Sequence, residues 1–194
     1  SRSSPVQVSS RTPWISATVG AATTYAIRSD NTLWAFGRNQ NGQLGQNDII
    51  DRSAPTQVGT LANWAKVSSG GAFLMSIKTD GTLWTFGNNL YGQLGQNDKV
   101  YRSSPVQVGA LTTWSSASSG PQVSFAVKTD GTLWSWGRNN AGQLGQNDRI
   151  YRSSPTQIGA STDWASISAG QGNGVIATKT NGTLWSWGTN NFGQ

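Results

Sequence analysis

Asp130-Gly131-Thr132-Leu133-Trp134-Ser135-Trp136-Gly137-Arg138-Asn139-Asn140-Ala141-Gly142-Gln143-Leu144-Gly145 is the stretch that decides the fold of this chain. Asp-Gly is a tight-turn pair, read here as a type I′ hairpin whose two central residues both take positive φ. The residues after it alternate in strand fashion up to a glycine. Related stretches begin at Asp80-Gly81, at Asp30-Asn31 with a less typical turn pair, and at Asn181-Gly182. The first three are spaced by 50 residues, and one inserted residue delays the fourth.

The whole chain carries that period. Arg-Ser-Ser/Ala-Pro begins at Arg2, Arg52, Arg102 and Arg152, and a lone tryptophan follows at Trp14, Trp64, Trp114 and Trp164. Gly-Gln-Leu-Gly-Gln-Asn-Asp closes the first three copies from Gly42, Gly92 and Gly142, whereas the fourth stops at Gln194. The repeats are therefore 2–51, 52–101, 102–151 and a truncated 152–194, one continuous array across residues 1–194. In the second copy, Pro55–Val58 reads as an edge strand with Pro at its start. Trp64–Ser68, Phe73–Lys78 and Thr82–Phe86 read as three more strands, and no segment has helical period. Four short strands per copy predict an all-β propeller of four-stranded antiparallel blades.

Composition narrows the function. Hydrophobic residues make up only 35% of the chain, but ten are Trp, which bury large areas and suffice for a folded core. There is no Cys, no His and no Glu. Nucleophile–His systems and Cys/His zinc sites are thereby excluded, and no cofactor or metal is expected. The eight acids are all Asp and mostly recur at fixed repeat positions, a structural pattern, so no enzyme is expected. The net charge of +6 is spread along the array without any Lys/Arg run, which makes nucleic acid an unlikely partner. No apolar stretch is long enough for a membrane helix, so no membrane insertion is expected.

Asp48-x-x-x-Arg52, Asp98-x-x-x-Arg102 and Asp148-x-x-x-Arg152 precede each Pro strand. A guanidinium there can grip the carboxylate bidentately and fix a polar loop, a structural clamp. Positions that differ between copies are where a partner could be recognised. They gather just before Gly-Gln and make Arg38, Leu90, Tyr91, Arg138, Asn191 and Phe192 the candidate partner-binding residues. A second variable stretch runs through Ala21–Thr23, Gly71-Ala72, Pro121-Gln122 and Gln171–Asn173. The lone tryptophans recur with Leu33, Leu83, Leu133 and Leu184, which predicts packing between blades; a free indole face would instead suit a sugar.

The Asp-Gly-Thr-Leu-Trp…Gly-x-Asn…Gly-Gln-Leu-Gly series resembles the regulator of chromosome condensation repeat family, of the bacterial or phage type. The resemblance implies a propeller, usually of seven blades, that acts as a non-catalytic binding platform. It implies a protein partner or a surface polymer, with a carbohydrate-binding propeller lectin as the alternative. Exchange-factor activity of the Ran type is a lesser alternative, because no long wedge insertion interrupts the repeats. The family's usual strand His is replaced by Thr23-Thr24, Phe73, Val123-Ser124 and Gly174-Val175. Four copies, the last cut short, predict a larger propeller or self-association. Ser/Thr/Asn/Gln richness without Cys points to an extracellular or virion surface, and to a structural or adhesive role there.

Overall fold

A computed structural model of the chain describes residues 4, 5, 7, 8 and 13–189. Among them lie fifteen β-strands and no helix. The first sheet is a meander of β1 (Trp14–Val19), β2 (Thr23–Arg28), β3 (Leu33–Gly37) and β4 (Arg52–Gln57). The second repeats it with β5 (Trp64–Ser69), β6 (Phe73–Lys78), β7 (Leu83–Gly87) and β8 (Arg102–Gln107). The third has β9 (Trp114–Ser119), β10 (Val123–Lys128), β11 (Leu133–Gly137) and β12 (Arg152–Gln157). The fourth has three strands among the described residues: β13 (Trp164–Ala169), β14 (Gly174–Lys179) and β15 (Leu184–Gly188). The expectation of four strands in every unit thus holds for three sheets.

The sheets are out of phase with the sequence repeat by one strand. The Pro strand that opens each copy pairs backwards, as the outer strand of the preceding sheet. Gly37 faces Arg52 and Trp34 faces Gln57 across β3 and β4. The chain then crosses to the next sheet, where Trp64 N–H bonds Asn31 O at 3.0 Å. Each sheet is therefore tied to its neighbour covalently and by backbone hydrogen bonds.

The hairpin tips also differ from a type I′ turn. Lys78 N–H bonds Thr82 O and Gly81 N–H bonds Lys78 O, both at 3.0 Å, so the loop has three residues, Thr79-Asp80-Gly81. Only Gly81 takes positive φ, at 78°; the same holds at Gly131 and Gly182, and at Asn31 in the first sheet. This is a type I turn closed by a left-handed residue, the three-residue alternative. Asp80 stays in ordinary φ because its carboxylate caps the turn: Oδ1 accepts Thr82 N–H at 3.0 Å and Thr82 Oγ1–H at 2.6 Å. Thr82 Oγ1 in turn accepts the Trp84 Nε1–H at 2.8 Å.

The core lies between sheets. Tyr25, Leu33, Leu44, Trp64, Leu74 and Phe86 form the cluster joining the first sheet to the second. Met75, Leu83, Trp114, Ala126 and Trp136 repeat it between the second and third. Every residue of β6 is buried, because both faces of that strand are covered by neighbouring sheets. Trp64, Trp114 and Trp164 are buried as the sequence pattern predicts, but their ring neighbours are unforeseen. Trp64 meets Trp84 edge to face at 6.2 Å, and the Lys78 ammonium lies 3.5 Å from the Trp84 centroid and 4.7 Å from that of Trp64. Arg28, Lys128 and Lys179 hold the same position in the other sheets. The framework cations are thus packing elements of the tryptophan pairs.

Candidate functional site

In an antiparallel meander the first turn and the third loop of each sheet share one end. Arg38 N–H bonds Ala22 O, Asn88 N–H bonds Ala72 O and Arg138 N–H bonds Gln122 O, each at 2.9 Å. Both variable stretches therefore meet at this end, and the hairpin tips occupy the other.

The β3–β4, β7–β8 and β11–β12 loops are built alike around a buried asparagine. Asn89 Nδ2–H donates to Asp98 O at 3.1 Å, Asp98 Oδ1 at 2.9 Å and Val100 O at 3.1 Å, while its Oδ1 accepts Leu94 N–H at 2.9 Å. Asn39 and Asn139 bind Asp48 and Asp148 in the same way. One side chain thereby closes a loop of more than ten residues. Gly92 (φ 83°) lies so close to the next blade that a Cβ would stand 2.6 Å from Ser153 Cα, which requires glycine there.

The clamp residues meet in all three loops. Arg52 Nη2 lies 2.6 Å from Asp48 Oδ2, Arg102 Nη2 lies 2.5 Å from Asp98 Oδ2, and Arg152 Nη2 lies 2.6 Å from Asp148 Oδ2. The grip is single, not bidentate. The second guanidinium nitrogen, Nη1, donates instead to the carbonyl of Ile50, Val100 or Ile150. Oδ1 is already engaged by the Asn side chain and by the Ile50, Val100 or Ile150 N–H. The Ile50 N–H and then the Arg52 guanidinium hold the Asp48 carboxyl below the usual carboxylate range, and Ile150 and Arg152 do the same for Asp148. For Asp98, partial burial opposes the shift, but the Val100 N–H and Arg102 outweigh it.

Of the candidate partner-binding residues, the structure brings two into contact. The Arg138 guanidinium lies 5.2 Å from the centroid of the Tyr91 ring, bridging the third sheet's loop to the second's. Arg138 Nη1 also donates to Gln122 Oε1 at 2.5 Å, so both variable stretches join in one cluster. Leu90 stands beside Tyr91, half exposed. Arg38 lies one blade away and pairs with Gln40. Asn191 and Phe192 lie outside the described residues.

Sequence reading missed Tyr151, which meets the Tyr91 ring edge to face at 5.8 Å. It also missed the exposed Ile49, Ile50, Val100, Tyr101 and Ile150 beside the clamps. Their signal was present: Ile49-Ile50-Asp51, Lys99-Val100-Tyr101 and Arg149-Ile150-Tyr151 differ between copies whose flanks do not. Among the described residues no group of three acidic, His or Cys side chains is placed to hold a metal, and no helix is long and apolar enough to cross a membrane.

The family profile described as "Regulator of chromosome condensation (RCC1) repeat" matches residues 30–77, 80–127 and 130–176, and a second profile of that description matches 14–43, 64–93, 114–143 and 164–194. The chain belongs to the RCC1 repeat family. Solved structures agree on the fold. Human WBSCR16 is similar at TM-score 0.83 with 19% identity, over 95% of this chain and 50% of that one. Yeast RCC1 (Prp20), in its complex with Kap60, is similar at 0.82 with 22% identity, over 95% of this chain and 46% of that one. Prp20p of Saccharomyces cerevisiae, in a structure reported with its binding to Gsp1p and histones, is similar at 0.79 with 21% identity, over 94% and 47%. The chain thus spans about half the length of these relatives. No curated protein matches it in sequence.

Proposed function

We propose that this RCC1-repeat array is a non-catalytic scaffold that binds protein partners through its β3–β4, β7–β8 and β11–β12 loops. The observation that carries this reading is the cluster of Tyr91, Tyr151 and Arg138, built across two blades, with Leu90 exposed at its side. Aromatic and arginine side chains held rigidly at a surface are the usual anchors of protein interfaces. That the yeast relative is described in complex with Kap60, and with Gsp1p and histone binding, supports proteins as the partner class.

The lectin alternative needs free indole faces. Here the rings of Trp34, Trp84 and Trp134 each carry a cation within 3.7 Å of the centroid, so one face of each is occupied, whereas Trp185 of the fourth sheet is half exposed. For exchange of the Ran type, no insertion that could act as a wedge breaks the repeats among the described residues. The near-identity of the copies and the Ser/Thr/Asn/Gln richness without Cys or His support a place on a bacterial or virion surface, with a structural or adhesive role.

Selection of peptides from a random library on the chain tests the reading. Selected binders should lose affinity about tenfold for Leu90→Ser and Tyr91→Ala. They should keep it for Asp80→Ala, at the opposite end. Equal retention by all three variants would contradict the assignment of this face.

A further inference from the structure

The fold sorts charge by end, which the sequence conceals. In the β3–β4, β7–β8 and β11–β12 loops, Asp48, Asp98 and Asp148 are matched by their clamp arginines. That leaves Arg38, Lys99, Arg138 and Arg149 against Asp51, four cations to one carboxylate, an excess of three. Even Asp51 is engaged, accepting the Asn39 N–H at 2.7 Å. At the hairpin-tip end, Asp30, Asp80, Asp130 and Asp163 stand against Arg28, Lys78, Lys128 and Lys179, and the charges cancel. Three of the latter cations are sandwiched on tryptophan rings and Lys179 is paired with Asp163 at 2.9 Å. Three of the four excess positive charges of the described residues are therefore on the loop end, and the fourth is Lys66 of β5, nearer the tips.

Apolar side chains interleave with those cations. Lys99-Val100-Tyr101 and Arg149-Ile150-Tyr151 present the same triplet on successive blades, with Val100 60% and Ile150 64% exposed. On the rules of complementarity, such a surface calls for carboxylates alternating with apolar groups. We infer that the loop end binds an acidic polypeptide segment in which Asp or Glu alternates with aliphatic or aromatic residues. The triplets on the second and third blades would receive it, with Tyr91 packed against Tyr151 of the third-blade triplet and against Arg138.

Nucleic acid fits less well. Strand binding needs a denser track of cations and free ring faces on which bases stack. Here Tyr91 carries Arg138 on its face and meets Tyr151 edge to face. Beside the partly exposed Tyr101, the exposed Ile49, Ile50, Val100 and Ile150 offer aliphatic surface that phosphates do not use.

This inference rests on the scaffold reading above and can fail separately from it. The probe is a fluorescein-labelled peptide of Glu-Leu-Asp-Phe repeats, followed by anisotropy against the whole chain, with a Lys-Leu-Lys-Phe peptide and a single-stranded oligonucleotide alongside. The acidic peptide is expected to bind, and Arg149→Glu to weaken it about fivefold or more. Lys66→Glu, the same change in charge on a strand away from these loops, should cost less than about twofold if only local charge matters. Val100→Ser should weaken binding without altering its salt dependence. Equal losses for Arg149→Glu and Lys66→Glu, or tighter binding of the oligonucleotide, would overturn the inference. So would absence of acidic-peptide binding at millimolar concentration. In that last case, library-selected peptides that still depend on Leu90 would leave the scaffold reading standing.

Discussion

Asn39, Asn89 and Asn139 shape the β3–β4, β7–β8 and β11–β12 loops from within. Each is fully buried, and Asn89 alone holds three acceptors and one N–H in the β7–β8 loop. Asn89→Ala should cost about 2–3 kcal/mol, because the Asp98 carbonyl and the buried Leu94 amide lose this partner; urea unfolding measures it. The paired carboxylates give a pH dependence of definite sign. Their folded pKa values lie below the ordinary carboxylate range, so their contribution is complete above that range, near pH 4. It is lost as pH falls through the lowered folded values, and thermal melts should drop there more for the parent chain than for Asp98→Asn. The Asp–Arg pairs were legible in the sequence because both partners lie four residues apart in three copies. The asparagine was not, since Gly-x-Asn reads as turn chemistry and its acceptors lie up to eleven residues away. Tyr91 and Tyr151 come from different copies, so no local pattern could join them. A double-mutant cycle between them should give a coupling of about 0.5–1.5 kcal/mol.

Among the elements, the hairpin tips show where local reading ends. Asp-Gly correctly marked a tight turn between β6 and β7 and between β10 and β11. Which turn formed depended on the Asp80 carboxylate capping Thr82, and on how the tip meets the next blade. A Cβ on Gly81 would stand 2.2 Å from Thr112 O, whereas one on Gly109, also at positive φ, meets nothing within 4 Å. Gly109→Ala should therefore cost about 1 kcal/mol from backbone conformation alone. Gly81→Ala should cost about 1–3 kcal/mol more, as the loop between β8 and β9 is displaced. Paired chemical denaturation of the two variants checks the difference. Strand positions were readable from alternation and Gly punctuation. The membership of the Pro strand was not: periodicity fixes the length of a repeat but leaves its phase free, and only the β3–β4 pairing sets it.

At the scale of the whole molecule, stacking turns a dispersed sequence property into a polar object. Arg38, Lys99, Arg138 and Arg149 look scattered along the chain, yet a near-constant period returns each to the same end. The outer face of the fourth sheet is the other whole-molecule feature. Ile176 and Leu184 are 50% and 68% exposed there, whereas Tyr25, Met75 and Phe125, and Leu33, Leu83 and Leu133, at the matching positions, are wholly buried. A chain of residues 1–194 prepared alone should therefore associate with rising concentration in sedimentation; a strictly monomeric, concentration-independent species would contradict this. On the proposed function, one end of the propeller, and not the other, meets a protein partner. Hydrogen–deuterium exchange with and without a library-selected peptide tests it most directly. Protection should fall on 38–51, 88–101 and 138–151 and spare the tips at 79–82 and 129–132; protection at the tips with unchanged exchange in the loops would place the partner at the wrong end.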